Sequence, residues 1–145
     1  MDNKYMREAI KEAQASTYEV PIGAIIVYEN SIIARGHNLV ETDQDPTDHA
    51  EIIAIKEASK TLGSWRLLDT TMYVTLEPCP MCAGAIINSR IKRLVVGAMD
   101  PKRGCCGSVY NIVDNEIFNH RVELVTGVME DESRKLLQDF FKKRR

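Results

Sequence analysis

Two short stretches of this sequence contain residues whose types and spacing could perform chemistry. The first is H-A-E, which runs from His49 to Glu51, and the second is P-C-P-M-C, which contains a C-x-x-C pair at Cys79 and Cys82. His49, Cys79 and Cys82 make up the kind of three-ligand set that a catalytic zinc uses when its fourth position holds water. Glu51 is then free to transfer protons. The two stretches together predict one zinc site with an adjacent proton-transfer group.

The combination of the two stretches is more specific than either one alone. The pattern H-x-E followed by P-C-x-x-C is the signature of zinc-dependent nucleobase deaminases. A lone C-x-x-C pair would be weak evidence, because cytosolic redox proteins have the same spacing. A lone histidine at a helix start is more often a surface or capping residue than a ligand. Agreement at five positions in two segments favours the metal site.

The overall composition is typical of one ordinary globular domain. The chain has 145 residues, of which 44% are hydrophobic, and this is enough to bury a core without disulfides. We therefore expect a single zinc-dependent domain over residues 1–145. The longest apolar run, Val20 to Tyr28, is too short to cross a bilayer, and the first residues lack the order of a signal peptide. These features predict a cytoplasmic protein with no membrane partner.

Charge and the remaining cysteines say less about function. The formal net charge of −2 gives no sign of a nucleic-acid partner. A reducing compartment suits the C-x-x-C pair, whose thiols must be free to bind metal. The adjacent Cys105 and Cys106 are expected to be small buried residues in a loop, with a redox or metal role as the alternative.

Hydrophobic spacing predicts the elements that position the site. Helices are expected at 2–15, 49–62, 81–89 and from 130 onward, and strands at 20–28, 32–37, 71–76, 94–98 and 121–126. Thr47 or Asp48 is expected to cap the second helix, and Gly63 to end it. The order α-β-β-α-β-α-β-β-α predicts a three-layer α/β/α sandwich with a mixed five-stranded sheet. Both cysteines would share one face at a helix N-terminus, which lowers thiol pKa.

Three features leave alternatives open. Gly23, inside a predicted strand, indicates either close approach of another segment or a simple bulge. The glycine-rich, charged segment 99–108 is either a wall of an active site or a surface connection, and it lacks the phosphate-binding G-x-x-x-x-G-K pattern. The tail has two aromatic residues followed by four cations. This favours a solvated helix end, with a phosphate contact as the alternative.

Further motifs extend over nearly the whole chain: V-P-I-G-A at 20–24, Y-V-T-L-E-P-C-P-M-C-A-G-A at 73–85, S-R-I at 89–91, N-H-R at 119–121 and F-F at 140–141. Together with H-A-E they resemble the bacterial tRNA-specific adenosine deaminases, within the cytidine deaminase-like superfamily. The resemblance implies a cytidine deaminase-like fold and a homodimer with one Zn²⁺ per subunit. It also implies conversion of adenosine to inosine at the wobble position of a tRNA anticodon stem-loop.

The resemblance also implies residue roles. His49, Cys79 and Cys82 would hold zinc, and Glu51 would be the catalytic proton shuttle. Asn38, in the segment G-H-N, would contact the target nucleoside. The positions expected to bind substrate are Asn38, Ala50, Asp100, Asn119, His120 and Phe141.

Two other functions compete with this one. A deaminase of a free nucleobase or nucleoside, such as guanine, cytosine or cytidine, would use the same zinc chemistry, but it has no need of an aromatic and basic C-terminal helix. A non-catalytic, zinc-stabilised binding module is the other alternative. Glu51 argues against it, because a structural zinc site is usually closed by a fourth protein ligand.

Overall fold

Five strands form one sheet in the computed structural model, which describes residues 1–15 and 17–144. In chain order they are β1 (Gly23–Tyr28), β2 (Ser31–His37), β3 (Thr71–Leu76), β4 (Arg93–Ala98) and β5 (Glu123–Thr126). Across the sheet their order is β2-β1-β3-β4-β5. β1 pairs antiparallel with β2 and β3, whereas β3, β4 and β5 run parallel. The predicted mixed five-stranded sheet is confirmed.

The helices are α1 (Asp2–Ala13), α2 (Val40–Asp43), α3 (Ala50–Leu62), α4 (Pro80–Asn88) and α5 (Glu130–Lys143). Four of them were predicted, but α2 lies in a segment that was expected to be a loop. Its cause is not local: the buried carboxylate of Glu19 accepts hydrogen bonds from the backbone N–H groups of Glu41 and Thr42. No described helix is both long and apolar enough to span a lipid bilayer.

Helices cover both faces of the sheet. Successive strand residues point to opposite faces, so Ala24 and Ile26 of β1 pack in a core with α3 and α4. The residue between them, Ile25, packs with Tyr5 and Met6 of α1 in a second core. α5 contacts β3 and β4. The three-layer α/β/α arrangement is thereby confirmed.

The start of β1 shows why a glycine lies at position 23. The strand begins at Gly23, not at the predicted Val20, because the N–H of Ile22 is bonded to the carbonyl of Val20 at 2.9 Å in a tight turn. A Cβ built on Gly23 would lie 2.1 Å from the carbonyl oxygen of Ala9 in α1. Gly23 therefore permits close approach of α1, and the register shift of this hairpin lies elsewhere, after Ile26.

Two expectations about helix starts are wrong. The N-cap of α3 is His49, not Thr47 or Asp48, because the hydroxyl and N–H of Thr47 bond to the side chain of Asp45 in the preceding turn. α4 begins at Pro80 with Cys79 as its N-cap, so only one of the two cysteines lies on the helix. Gly63 ends α3 in the left-handed conformation, as predicted.

One edge of the sheet gathers the segments that carry the candidate site. β3 ends at Leu76, opposite Ala98 at the end of β4. β1 is antiparallel to β3, so it starts at this edge, with Gly23 opposite His37 at the end of β2. α3, α4 and the segment 99–108 follow these strand ends. This is the side of an α/β sheet at which ligands usually bind.

Candidate active site

Three ligand-type side chains converge at the N-termini of α3 and α4. His49 and Cys79 are the N-caps of the two helices, and Cys82 lies in the first turn of α4. The Nδ1 atom of His49 is 3.7 Å from Sγ of Cys79 and 3.4 Å from Sγ of Cys82. The three possible ligand atoms lie within 4.8 Å of one another. This cluster, named here the His-Cys-Cys group, could hold a metal ion.

The spacing of the group fits zinc. Zinc–nitrogen and zinc–sulfur bonds of about 2.0 and 2.3 Å at a tetrahedral angle put the two ligand atoms about 3.5 Å apart. The observed distances of 3.4 and 3.7 Å bracket this value.

The thiols of the group also fit a bound cation. A hydrogen bond from Cys82 lowers the pKa of Cys79 to about 3. The pKa of Cys82 rises because its thiol donates that bond and is buried. The protein alone therefore favours a single thiolate, and a divalent cation is what would let both sulfurs ionise.

Glu51 lies in the first turn of α3, beside the group. It is 4% exposed, and burial raises the pKa of its carboxyl to about 7. It lines a small cavity together with His49 and Cys79. A buried carboxyl with this pKa can both accept and donate a proton near neutral pH, as general acid–base catalysis requires.

A larger cavity of about 540 Å³ adjoins the small one and shares His49 and Asp100 with it. Four of the six predicted substrate positions line it: Asn38, Ala50, Asp100 and Phe141. Pro101, Lys102 and Arg103 line it as well. The first half of the segment 99–108, residues 99–103, therefore forms part of the cavity wall. The volume of the cavity is within the range of small-molecule sites.

The amide of Asn38, which lines this cavity, is held by two backbone groups. Its Nδ2 donates to the carbonyl of Val20 at 3.4 Å, and its Oδ1 accepts from the N–H of Val40 at 3.2 Å. These bonds use one N–H and one lone pair. The amide retains one donor and one acceptor for a ligand.

The structure does not bring Asn119 and His120 to this cavity. Asn119 is exposed, and Nε2 of His120 lies 2.6 Å from the carbonyl oxygen of Ile91, to which it is placed to donate. Their role in substrate binding remains a prediction. The adjacent Cys105 and Cys106 are buried and unpaired with any other cysteine, as expected of core residues.

The sequence reasoning missed two buried carboxylates, Glu19 and Glu77. Burial raises the pKa of Glu77, but hydrogen bonds from Ser108, Asp100 and Cys106 outweigh it and hold that pKa below its ordinary value. An acidic residue directly after an apolar strand and before Pro78 was the available signal. No pattern in the sequence indicated its partners, which lie more than 20 positions away.

The C-terminal end of α5 borders the cavity. Phe141 is 50% exposed, and it also lines a neighbouring groove with Arg134, Leu137, Gln138 and Lys142. Arg144 is held within the chain, because its guanidinium donates to the carbonyls of Thr17 and Tyr18. Arg145, the last of the four basic residues of the tail, lies outside the described residues.

Comparison with known proteins identifies the relatives of this chain. A family model described as MafB19-like deaminase matches residues 1–145. The chain is 53% identical over 146 residues to the tRNA-specific adenosine deaminase of Bacillus subtilis (strain 168), covering 99% of this chain and 91% of that protein. A structure solved in studies of A-to-I editing by tRNA:A34 deaminases at the wobble position has a TM-score of 0.87 and 41% identity, covering 92% of this chain and 99% of that one. A guanine deaminase from Bacillus subtilis has a TM-score of 0.64 and 41% identity, over 66% of this chain and 63% of that one.

Proposed function

Because the chain belongs to the MafB19-like deaminase family, among relatives that are tRNA-specific adenosine deaminases, we propose that it hydrolytically converts adenosine to inosine at the wobble position of a tRNA anticodon. One observation carries the catalytic part of this proposal. Glu51, a buried carboxyl outside the His-Cys-Cys group, opens onto the same small cavity as His49 and Cys79. Residues 1–145 would act as a single domain.

His49, Cys79 and Cys82 would hold one zinc ion per subunit. Zinc supplies a Lewis acid that lowers the pKa of a water ligand to about 7. Glu51 would take a proton from the attacking water and pass it to the ring nitrogen beside the carbon under attack. The same carboxyl would then take the remaining proton of the added hydroxyl group and give it to the departing amino group, so that one water is consumed and one ammonia is released.

The larger cavity would receive the target nucleoside. A base in a folded RNA must be unstacked before a deaminase can reach it. Asn38, Ala50 and Asp100 line the cavity beside the His-Cys-Cys group, and Phe141 offers an exposed ring on which a base can stack.

Basic side chains around the cavity support an RNA substrate. Lys102 and Arg103 line the cavity, and Lys142 lines the adjoining groove. Cations at these positions attract phosphates. A free base carries no phosphate and gains nothing from them.

We also propose a homodimer. Four large apolar side chains between 109 and 118 are exposed, namely Val109, Tyr110, Ile117 and Phe118. Such exposure is typical of a protein–protein contact, and a second copy of the chain is the partner that the family resemblance implies. In a dimer, Asn119 and His120, which adjoin this segment, could approach substrate held by the other subunit.

We also propose a cytoplasmic location, which would keep the thiols of the metal site reduced.

The test is an assay of zinc-loaded protein on an anticodon stem-loop with adenosine at the wobble position. Free adenosine, guanine, cytosine and cytidine are assayed in parallel. We expect inosine in the RNA and no ammonia from the free compounds. Ammonia from a free compound, with no inosine in the RNA, would refute the proposal.

A second candidate is deamination of free guanine, which the similarity to the guanine deaminase favours. The same assay separates the two functions. Release of ammonia from guanine, unaffected by added stem-loop, would identify a nucleobase deaminase with the same proton-transfer chemistry at Glu51.

A further inference from the structure

Glu77 is a buried carboxylate at the end of β3 that has no part in the chemistry described above. It is 2% exposed. Its Oε1 accepts from the N–H of Asp100 at 2.8 Å and from the hydroxyl of Ser108. Its Oε2 accepts from the N–H groups of Cys106 and Ser108, both at 2.9 Å. One carboxylate thus holds the beginning and the end of the segment 99–108, named here the wall loop.

The backbone of the wall loop lies directly on this carboxylate. A Cβ built on Gly104 would be 2.2 Å from the carboxyl carbon of Glu77, so a side chain at that position would displace the loop. The N–H of Cys105 donates to the carbonyl of Pro78 at 3.0 Å. The loop is therefore wrapped around the chain segment that leads into Cys79.

Asp100 links Glu77 to the two cationic residues of the loop, Lys102 and Arg103, through hydrogen bonds. Its backbone N–H is bonded to Glu77, and its side-chain Oδ1 accepts from the N–H groups of Lys102 and Arg103 at 3.1 and 3.2 Å. Lys102 and Arg103 are exposed and line the larger cavity. Their backbone positions are thus fixed by a chain of hydrogen bonds that starts at Glu77.

We propose that Glu77 is a positioning residue for substrate binding, whose carboxylate holds the wall loop so that Lys102 and Arg103 face incoming RNA phosphates. This rests on the proposed function, because it takes a polyanionic RNA as the substrate. A loop that is already ordered loses less conformational entropy when it binds. The wall loop contributes no member of the His-Cys-Cys group but does line the larger cavity, so we expect its order to affect substrate binding more than metal binding.

The experiment compares zinc-loaded wild-type protein with Glu77→Gln. The amide of glutamine keeps the size of the carboxylate but puts an NH₂ group against backbone donors. We expect KM for the anticodon stem-loop to rise about tenfold, kcat to change by less than about threefold, and zinc content to stay the same. Without RNA, trypsin should cleave after Lys102 or Arg103 about tenfold faster, since a released loop opens more often.

Two further variants keep the test decisive. Glu19→Gln is the matched control: it also alters a buried carboxylate that accepts from two N–H groups and a hydroxyl, but at Glu41 and Thr42. It should leave trypsin cleavage of the wall loop unchanged. Ser108→Ala removes only one donor to Glu77 and should give a smaller acceleration, and it replaces Glu77→Gln if that variant does not fold.

Two results would overturn the proposal. One is unchanged trypsin cleavage after Lys102 and Arg103 in both Glu77→Gln and Ser108→Ala. The other is a Glu77→Gln protein whose kcat falls while its KM stays at the wild-type value. Wild-type protein that is inert on the stem-loop would instead refute the proposed function, and the trypsin result would still decide whether Glu77 holds the loop.

Discussion

Glu51 and Glu77 are both buried carboxyl groups that line the small cavity beside the His-Cys-Cys group, yet their surroundings give them opposite properties. Burial raises the pKa of Glu51 to about 7. The same burial acts on Glu77, but hydrogen bonds from Ser108, Asp100 and Cys106 overcome it and lower the pKa. Burial alone therefore does not decide whether a carboxyl exchanges protons. The donors aimed at it do.

The two residues also belong to different structural settings. Glu51 lies in the first turn of α3, next to His49, and is held by a long helix. Glu77 directly follows β3 and holds a loop that has no regular secondary structure over residues 99–104. The proposed proton shuttle is thus part of a helix, while the ionised carboxylate of Glu77 organises a segment without regular structure. Substitutions at the two sites should have distinct kinetic consequences.

The largest expected effect comes from Glu51→Gln, which keeps the size of the side chain but removes its ability to accept a proton. Loss of a general acid–base group typically lowers kcat by about 10²- to 10⁴-fold. Zinc content, measured by atomic absorption, should stay at the wild-type level because Glu51 is outside the His-Cys-Cys group. Loss of zinc together with activity would contradict this role.

His49→Ala provides the contrast for that variant, since it removes a member of the His-Cys-Cys group instead of its neighbour. We expect both bound zinc and deaminase activity to be lost. An active protein that contains no zinc would show that the group is not the catalytic metal site.

Gly104→Ala should disturb the contact between Glu77 and the wall loop without altering the carboxyl group of Glu51 or Glu77. The added methyl group meets Glu77 and must push the wall loop away from it. We expect KM for the stem-loop to rise about tenfold, or about 1.4 kcal/mol of binding free energy. Steady-state kinetics measures this, and Gly84→Ala is the control, because nothing lies within 4 Å of the added carbon there.

Glu19, which lies outside the His-Cys-Cys group, also tests whether hydrogen-bond donors outweigh burial in setting the pKa of a buried carboxyl. Burial raises its pKa, but bonds from Thr42 and Glu41 outweigh this and lower it. The stabilisation from such a group is complete above its unfolded pKa and disappears as pH falls through its lower folded pKa. Glu19→Gln should therefore lower the free energy of unfolding by about 1–3 kcal/mol at pH 7. In urea titrations at several pH values, the deficit should shrink below about pH 4. A deficit that is constant with pH would contradict the ionic role.

The smallest effect is expected for Lys102→Ala, at an exposed position of the wall loop. Loss of one phosphate contact should weaken stem-loop binding a few-fold and reduce the slope of log K against log salt by about 1. Fluorescence anisotropy over a salt series measures both quantities. Lys60→Ala makes the same change in net charge at the far end of α3 and should leave the slope unchanged. Equal slopes for Lys102→Ala and wild type would remove Lys102 from the RNA surface.

Local patterns in the sequence were sufficient for the sheet and for the convergence of the ligand-type residues. The strand at Thr71–Leu76 follows from its β-forming residues. The start of a helix shortly after this strand follows from Pro78, Pro80 and the apolar residues after them. The H-x-E and C-x-x-C spacings then suffice to bring His49 near the two cysteines, because both segments begin helices at the same edge of the sheet.

Features that depend on distant partners could not be predicted. α2 and the wall loop are each organised by a carboxylate more than 20 residues away, and nothing in their own sequences indicates Glu19 or Glu77. The predicted N-cap of α3 was wrong for a related reason. Thr47 is a residue type that often caps helices, but its hydroxyl is bonded to Asp45. Asn119 was identified by resemblance alone, and it lies exposed and away from the larger cavity.

The hairpin of β1 and β2 bears on how this protein could be engineered. A Cβ on Gly23 would lie 2.1 Å from the carbonyl oxygen of Ala9. Gly36, which pairs with the next residue of β1, Ala24, would place a Cβ 2.4 Å from the carbonyl oxygen of Ala50, the residue between His49 and Glu51. The backbone of α3 thus touches the backbone of a strand, with no side chain between them that could adjust. In a saturation-mutagenesis library selected for activity, we expect Gly23 and Gly36 to be recovered almost only as glycine. Substrate range would then have to be broadened at the side chains that line the cavity.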